Sequence, residues 1–330
     1  MTRYQVVTML LGALLAVAFF FSLCYKLPPD IYVGQGIMDV VQDHMSVSAL
    51  VIGQLRLPRL VLALLIGAAL GLAGANLQAS MRNPLADPGI LGITGWASLG
   101  GVLVFYTDFL SGGPVLIACA AFTGALFAAV ILFTLSRGGI FVMTLAGIAL
   151  STLSAALLSL ILNLVPSPYA RFEIAHWLLG SLNQADSQAL FMAFPGLVAG
   201  CLLLSVTGRS LDGLSLGENI ARSMGIRPHY TQCLIIGGCV LSLGSAVAVA
   251  GNIAFIGLVV PHIARFLVGY KPSDTLVPSA LLGAVLLIGA DGLVHVSVLA
   301  NHLPLGVVTT LIGTPFFLFQ IWKLYRVQNV

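Results

Sequence analysis

The placement of charge constrains this chain more than any other feature. Ten apolar stretches follow one another, over about 5–25, 58–80, 92–107, 114–135, 140–163, 190–207, 230–250, 254–269, 278–297 and 305–325, and most charged residues fall between them. Each is close to the roughly 20 residues that a helix needs to cross a bilayer. Only 8% of the 330 residues are charged and 59% are hydrophobic, whereas a soluble domain carries about 25% charged residues. Such a chain cannot cover a water-facing surface. The predicted fold is an all-α polytopic membrane protein of about ten transmembrane helices in one domain, 1–330.

The first stretch is too long for the ~7–15-residue core of a secretion signal and lacks a small-x-small cleavage pattern. Cys24 follows the bulky Leu23, which argues against a lipoprotein signal, so a retained span is expected. All five cysteines lie in apolar runs without metal or redox spacing. No basic patch points to nucleic acid. With the N-terminus inside, Arg3, Arg82, Arg137, Arg209, Arg222, Arg227, Arg265, Lys271, Lys323 and Arg326 face the cytoplasm. Lys26, Arg56, Arg59 and Arg171 face outward, a split that obeys the positive-inside rule. Both termini are then cytoplasmic.

Two connections exceed simple turns. Residues 26–57 suit a partly helical outer segment, and 208–229 lie inside. GLAGANLQASMRNP (71–84) and AVAGNIAFIGLVVP (248–261) are faintly alike in oppositely directed spans, the pattern of an inverted repeat. Gly67, Gly71 and Gly74 form a small-residue face of the kind that lets helices pack closely in lipid.

Four constellations can carry function. Pro58 is expected to open the second span with Arg56 and Arg59 at its mouth. Those arginines suit either an acidic external partner or snorkelling to the interface. In Arg82-Asn83-Pro84-Leu85-Ala86-Asp87-Pro88-Gly89 the prolines and glycines demand irregular backbone. It is either the inner end of a pathway or an ordinary loop with an Arg82–Asp87 pair. Ser215-Leu216-Gly217-Glu218-Asn219-Ile220-Ala221-Arg222-Ser223-Met224-Gly225 reads as a short cytoplasmic helix. Ser215 and Glu218 match a capping box, and Gly225 and Pro228 end the helix. Leu216, Ile220 and Met224 form an apolar stripe that packs on the protein itself or on a cytoplasmic subunit. Finally, Asp291 and His295 stand at i, i+4 in a span, as a structural pair or a proton relay, with His262 and Asn163 also embedded.

The chain has no GxxxxGK[ST] phosphate loop, no HExxH and no GxSxG. It therefore offers no catalytic residue and no nucleotide or metal site of its own.

At RLPRLVLALLIGAALGLAGANLQ, RNPLADPGILGI, LAGIAL (145–150), HWLLGSL, LSLGENIARSMGI, IAFIGLVVPHIARFLVG, ALLGAVLLIGAD and LPLGVVTTLIGTPFFLF the sequence resembles the FecCD-type permeases. These are the membrane subunits of ATP-driven bacterial importers of iron siderophores, haem and cobalamin. The resemblance covers almost the whole chain. It implies an inverted-repeat, ten-helix permease in the bacterial inner membrane that pairs with a second copy around a substrate path. Two cytoplasmic ATP-binding subunits would use ATP and Mg, with no cofactor on this chain, and a periplasmic substrate-binding protein would dock outside.

Carried over by position, Arg56 and Arg59 match docking arginines, which favours the docking alternative. Residues 215–225 (Ser215, Leu216, Gly217, Glu218, Ile220, Ala221, Arg222, Met224 and Gly225) match the segment seated in the ATPase, which favours the subunit partner. Asn83, Pro84, Leu85, Trp96 and Leu145 fall on the path. His295 stands where relatives commonly carry a third docking arginine; with an ordinary pKa near 6.5 it is mostly neutral at pH 7. Trp96 is bulkier than the usual residue at its position. A ferric siderophore is the first-choice cargo, with haem or cobalamin as alternatives. The competing class is an ion-coupled secondary transporter using Asp291, His295 or His262.

Overall fold

A computed structural model describes residues 2–25, 32–42, 46–106, 113–135, 139–296 and 303–328. Lys26, Asp30, Asp43, His44 and Arg137 lie outside them. Ten helices occupy the ten expected positions: α1 (Arg3–Cys24), α4 (Leu57–Ser80), α5 (Ile93–Tyr106), α6 (Gly113–Leu135), α7 (Gly139–Leu164), α9 (Ser187–Ser205), α12 (Pro228–Ala250), α13 (Ile256–Val268), α14 (Pro272–Val296) and α15 (Leu305–Gln328). Shorter helices fill the connections: α2 (Val33–Val41), α3 (Val47–Ala49), α8 (Pro168–Leu178), α10 (Gly208–Ser215) and α11 (Glu218–Ser223). There is no strand among the described residues.

Among the described residues, seven helices are long and apolar enough to cross a membrane, whereas Ile93–Tyr106, Ile256–Val268 and Leu305–Phe319 are shorter apolar segments. Fourteen residues reach only about 21 Å, less than the ~30 Å hydrocarbon core. The backbone before α5 and α13 explains their length. Gly92, at φ +77°, lies against Leu150 and Ser151 in the middle of α7, and a Cβ on Gly74 of α4 would fall on Gly257 O at the start of α13. Irregular chain at 86–92 and 251–255 is thus packed largely into the protein, the one place where lipid tolerates it.

Helix α4 is the centre. Most of its side chains from Leu60 to Ser80 are buried, and its glycines set its neighbours. A Cβ on Gly67 would strike Gly283 O, and one on Gly71 would strike Ser279 O, both on α14. The two similar stretches seen in the sequence meet here with different backbones: the first stays helical through Ser80, whereas the second breaks over Gly251–Phe255. Buried polar groups on α4 find partners on α4 itself, on α9, at Thr207 and on α13. Asn76 Nδ2 donates to Leu72 O (2.9 Å) and Leu204 O (3.2 Å), and its Oδ1 accepts from Thr207 Oγ1 (2.5 Å). Gln78 Nε2 donates to Leu258 O (3.1 Å), and its Oε1 accepts from Arg265.

Pro58 does not open the second span. The helix begins at Val47 and runs to Ser80, with a π-helical stretch over Leu50–Arg56 in which Leu57 N–H donates to Ile52 O. In that wider register Pro58 would bond Gly53 O, but it has no N–H. Gly53 O instead accepts from Ser187 Oγ at 3.4 Å.

Candidate functional site

The outer ends of α4 and α14 share a cavity of about 590 Å³, reached by Arg56, Arg59, Asn183, Asp291 and His295. The Arg59 guanidinium grips Asp291 from two sides: Nε donates to Oδ2 at 3.0 Å and Nη2 to Oδ1 at 2.7 Å. Nη2 also donates to Asn183 Oδ1 at 3.0 Å. The two side chains are only 17% and 5% exposed, so this is a largely desolvated, two-point ion pair, the strong form of the interaction. Arg56 sends Nη1 back to the end of α1, donating to Leu23 O (2.9 Å) and Tyr25 O (2.7 Å). Because the helix is continuous through this region, neither arginine opposes a helix N-terminus; Arg56 satisfies the carbonyls that a C-terminus leaves unpaired.

His295 Nδ1 lies 2.8 Å from Asp291 O, and the imidazole is 4.0 Å from Asp291 Oδ2. The expected Asp291–His295 neighbourhood therefore exists, but the carboxylate belongs chiefly to Arg59. Asn183, on the connection before α9, was not legible as a partner because nothing local marks it.

At the inner end, 208–225 forms two helices instead of one. Ser215 closes α10, its Oγ donating to Asp212 O at 2.6 Å, so no capping box forms with Glu218. Gly217, at φ +121°, leads into α11 instead, a backbone conformation that glycine alone adopts readily. The expected stop at Gly225 holds. Gly225 N–H donates to Arg222 O (3.0 Å) and Ile226 N–H to Ala221 O (2.9 Å), the paired bonds of a Schellman ending. Ala221 is buried, yet Leu216, Ile220 and Met224 are 60%, 49% and 60% exposed, so the apolar stripe faces outward. Glu218 and Arg222 pair beside it at 3.5 Å.

Trp96 Nε1 donates to Leu150 O at 3.0 Å and its ring packs on Phe127 at 4.7 Å, lining an apolar groove of about 640 Å³ between α5 and α6. Asn83, Pro84 and Leu85 are exposed on the inner loop, and Leu145 is half-exposed on α7; none of these four lines that groove. Arg82 does not pair with Asp87. Its Nη2 donates to Leu214 O at 2.6 Å, while Asp87 Oδ1 accepts Gly89 N–H at 2.8 Å. A Cβ on Gly257 would come within 3.0 Å of both Asp87 Oδ2 and Pro88. Burial there pushes the Asp87 carboxyl up to about 6, against the pull of the Gly89 N–H.

Over nearly its whole length the chain is similar to known transporters. A family model described as the FecCD transport family matches residues 11–323. The chain belongs to the FecCD transport family. Among its relatives, the hemin transport permease HmuU of Yersinia pestis is 37% identical, with 82% of each chain covered. The vitamin B12 import permease BtuC of Vibrio vulnificus is 38% identical, again with 82% of each chain covered. A solved structure described as an inward-facing conformation of a metal-chelate type ABC transporter matches with a TM-score of 0.85 at 28% identity, over 97% of this chain and 99% of that one. This FecCD protein is accordingly a multi-pass permease subunit of a metal-chelate type ABC importer. Membership implies ATP hydrolysis on a separate subunit and a substrate-binding partner.

Two measurements test the local chemistry. Asp291→Ala strands a largely buried guanidinium, so thermal unfolding in detergent should show a loss of about 3 kcal/mol, with a smaller loss in Asp291→Asn. An unchanged melting temperature in both would refute the pair as a structural element. For Asp87, a folded-state pKa near 6 above an ordinary value near 4 means the neutral form favours folding. Stability from this group is full below about pH 4 and is lost as pH rises through about 6. Asp87→Asn should therefore exceed the parent in stability at pH 8, by at most about 3 kcal/mol, and converge with it toward pH 4. Parallel pH profiles would contradict this.

Proposed function

We propose that this protein is the membrane subunit of a binding-protein-dependent, ATP-driven importer that carries an iron chelate from periplasm to cytoplasm across a bacterial inner membrane. A ferric siderophore is the first-choice cargo, with haem or cobalamin as alternatives. Membership of the FecCD family carries the reading, and the structural neighbour of metal-chelate type agrees with it. Relatives named for hemin and for vitamin B12 lie at nearly equal identity, so overall likeness does not choose among cargoes.

In this reading the chain works as a homodimer with the path on the dimer axis. The cavity that Arg56, Arg59 and His295 reach is the face on which a binding protein settles, through acidic side chains that complement its cations. The outward stripe of Leu216, Ile220 and Met224 seats in the ATPase, where burying it removes apolar surface from water. Closure of the ATPase dimer would then favour one of two arrangements of the path, as differential contacts require. The ion-coupled alternative loses ground because both oxygens of Asp291 are committed to Arg59.

Proteoliposomes holding this chain, its ATPase and its binding protein should take up the binding protein's native ligand only with ATP present on the ATPase side. Uptake by this chain alone from a proton gradient would overturn the proposal, and mass spectrometry of the ligand names the cargo. In the same vesicles His295→Glu, at a side chain 45% exposed, should reduce binding-protein-stimulated ATP turnover about tenfold at low ionic strength, since steering by surface charge is salt-sensitive. Unaltered stimulation would move docking elsewhere.

A further inference from the structure

Helix α14 starts at Pro272, and the residue before it, Lys271, carries no side-chain acceptor for the first-turn N–H groups. The acceptor comes from another element. Ser273 N–H donates to Asp212 Oδ1 of α10 at 2.8 Å, a helix cap supplied across sixty-one positions of sequence. Helix α10 lies directly on that turn: a Cβ on Gly208 would meet Ser273 Cβ at 3.2 Å and Leu276 Cδ1 at 3.3 Å. Lys271 Nζ is 3.9 Å from Asp212 Oδ2 but 61% exposed, so that ion pair carries little weight. Helix α10 is also tied to α4, through Thr207 Oγ1 on Asn76 and Arg82 Nη2 on Leu214 O.

The two helices that hold α10 are also joined closely through glycine, Gly67 against Gly283 and Gly71 against Ser279. Their outer ends carry the Arg59–Asp291 pair. One two-helix body therefore reaches from the outer cavity to α10, and α10 leads directly into the exposed stripe.

We propose that Asp212 is a positioning residue for energy coupling: by capping α14 it fastens the 208–225 segment to the α4–α14 body, so that a push on the segment displaces that body as a unit. This rests on the reading that residues 215–225 meet the ATPase. Asp212 touches neither cargo nor nucleotide in this scheme and acts through α14.

The test is cargo uptake per ATP hydrolysed in proteoliposomes containing the ATPase and the binding protein. Asp212→Ala should lower that ratio about fivefold or more, the size of typical coupling effects. Asp212→Asn keeps the acceptor for Ser273 N–H and should stay within about twofold of the parent, as should Lys271→Ala. A parent-like ratio in Asp212→Ala overturns the proposal. So does a ratio in Asp212→Asn as low as in Asp212→Ala, which would assign the effect to charge. Failure of Asp212→Ala to enter the membrane or to co-purify with the ATPase overturns it as well, by placing Asp212 in folding or assembly. Ile220→Glu with Met224→Glu separately tests the underlying reading. Co-purification of that double variant with the ATPase would sink the assigned contact, whatever the Asp212 ratio.

Discussion

The close approach of α4 to α14 and α13 is the contact on which the remaining architecture depends. Lipid gives apolar helices no hydrophobic reason to associate, so association rests on packing and on polar groups brought within reach. Gly67, Gly71 and Gly74 let α4 approach until backbone meets backbone. Only at that separation can Gln78 reach across to Leu258 O. The same approach places Arg59 against Asp291, 232 positions apart in the chain.

Four arginines donate to carbonyls at the ends of helices. Arg3 donates to Phe266 O near the end of α13, Arg56 to the end of α1, Arg82 to Leu214 O in α10 and Arg171 to Val165 O beyond α7. Each meets a carbonyl at or just beyond the last turn of a helix, where the helix dipole favours a cation. A side chain with five donors suits this task. The positive-inside count thus mixes two roles, orienting the chain and closing its helices, and counting alone does not separate them.

Much of the candidate site was legible. The ten apolar helices stand where hydropathy put them, and the outward stripe of α11 and its neighbour Leu216 followed from a four-residue spacing in a segment outside any span. Boundaries that depend on a distant partner were not legible. Ser215 and Glu218 look like a capping box, yet Ser215 ends the preceding helix and Gly217 makes the turn. Pro58 has the form of a helix start but sits inside a helix whose wider π register tolerates it. Asn183 and Asp212 carried no local signal because each is defined by the residue it meets, Arg59 and Ser273 N–H.

By itself the sequence determined that the chain is a membrane protein of about ten helices, because an apolar run of span length has no other stable setting. It also marked Arg56, Arg59 and 215–225 as the charged and amphipathic exceptions to that rule. The tertiary structure decided what those exceptions do. Arg56 closes α1, Arg59 is held by Asp291, and Asp212 joins α10 to α14. Such roles depend on which backbone and side-chain atoms fall within hydrogen-bond distance, and that is fixed by packing between helices remote in sequence.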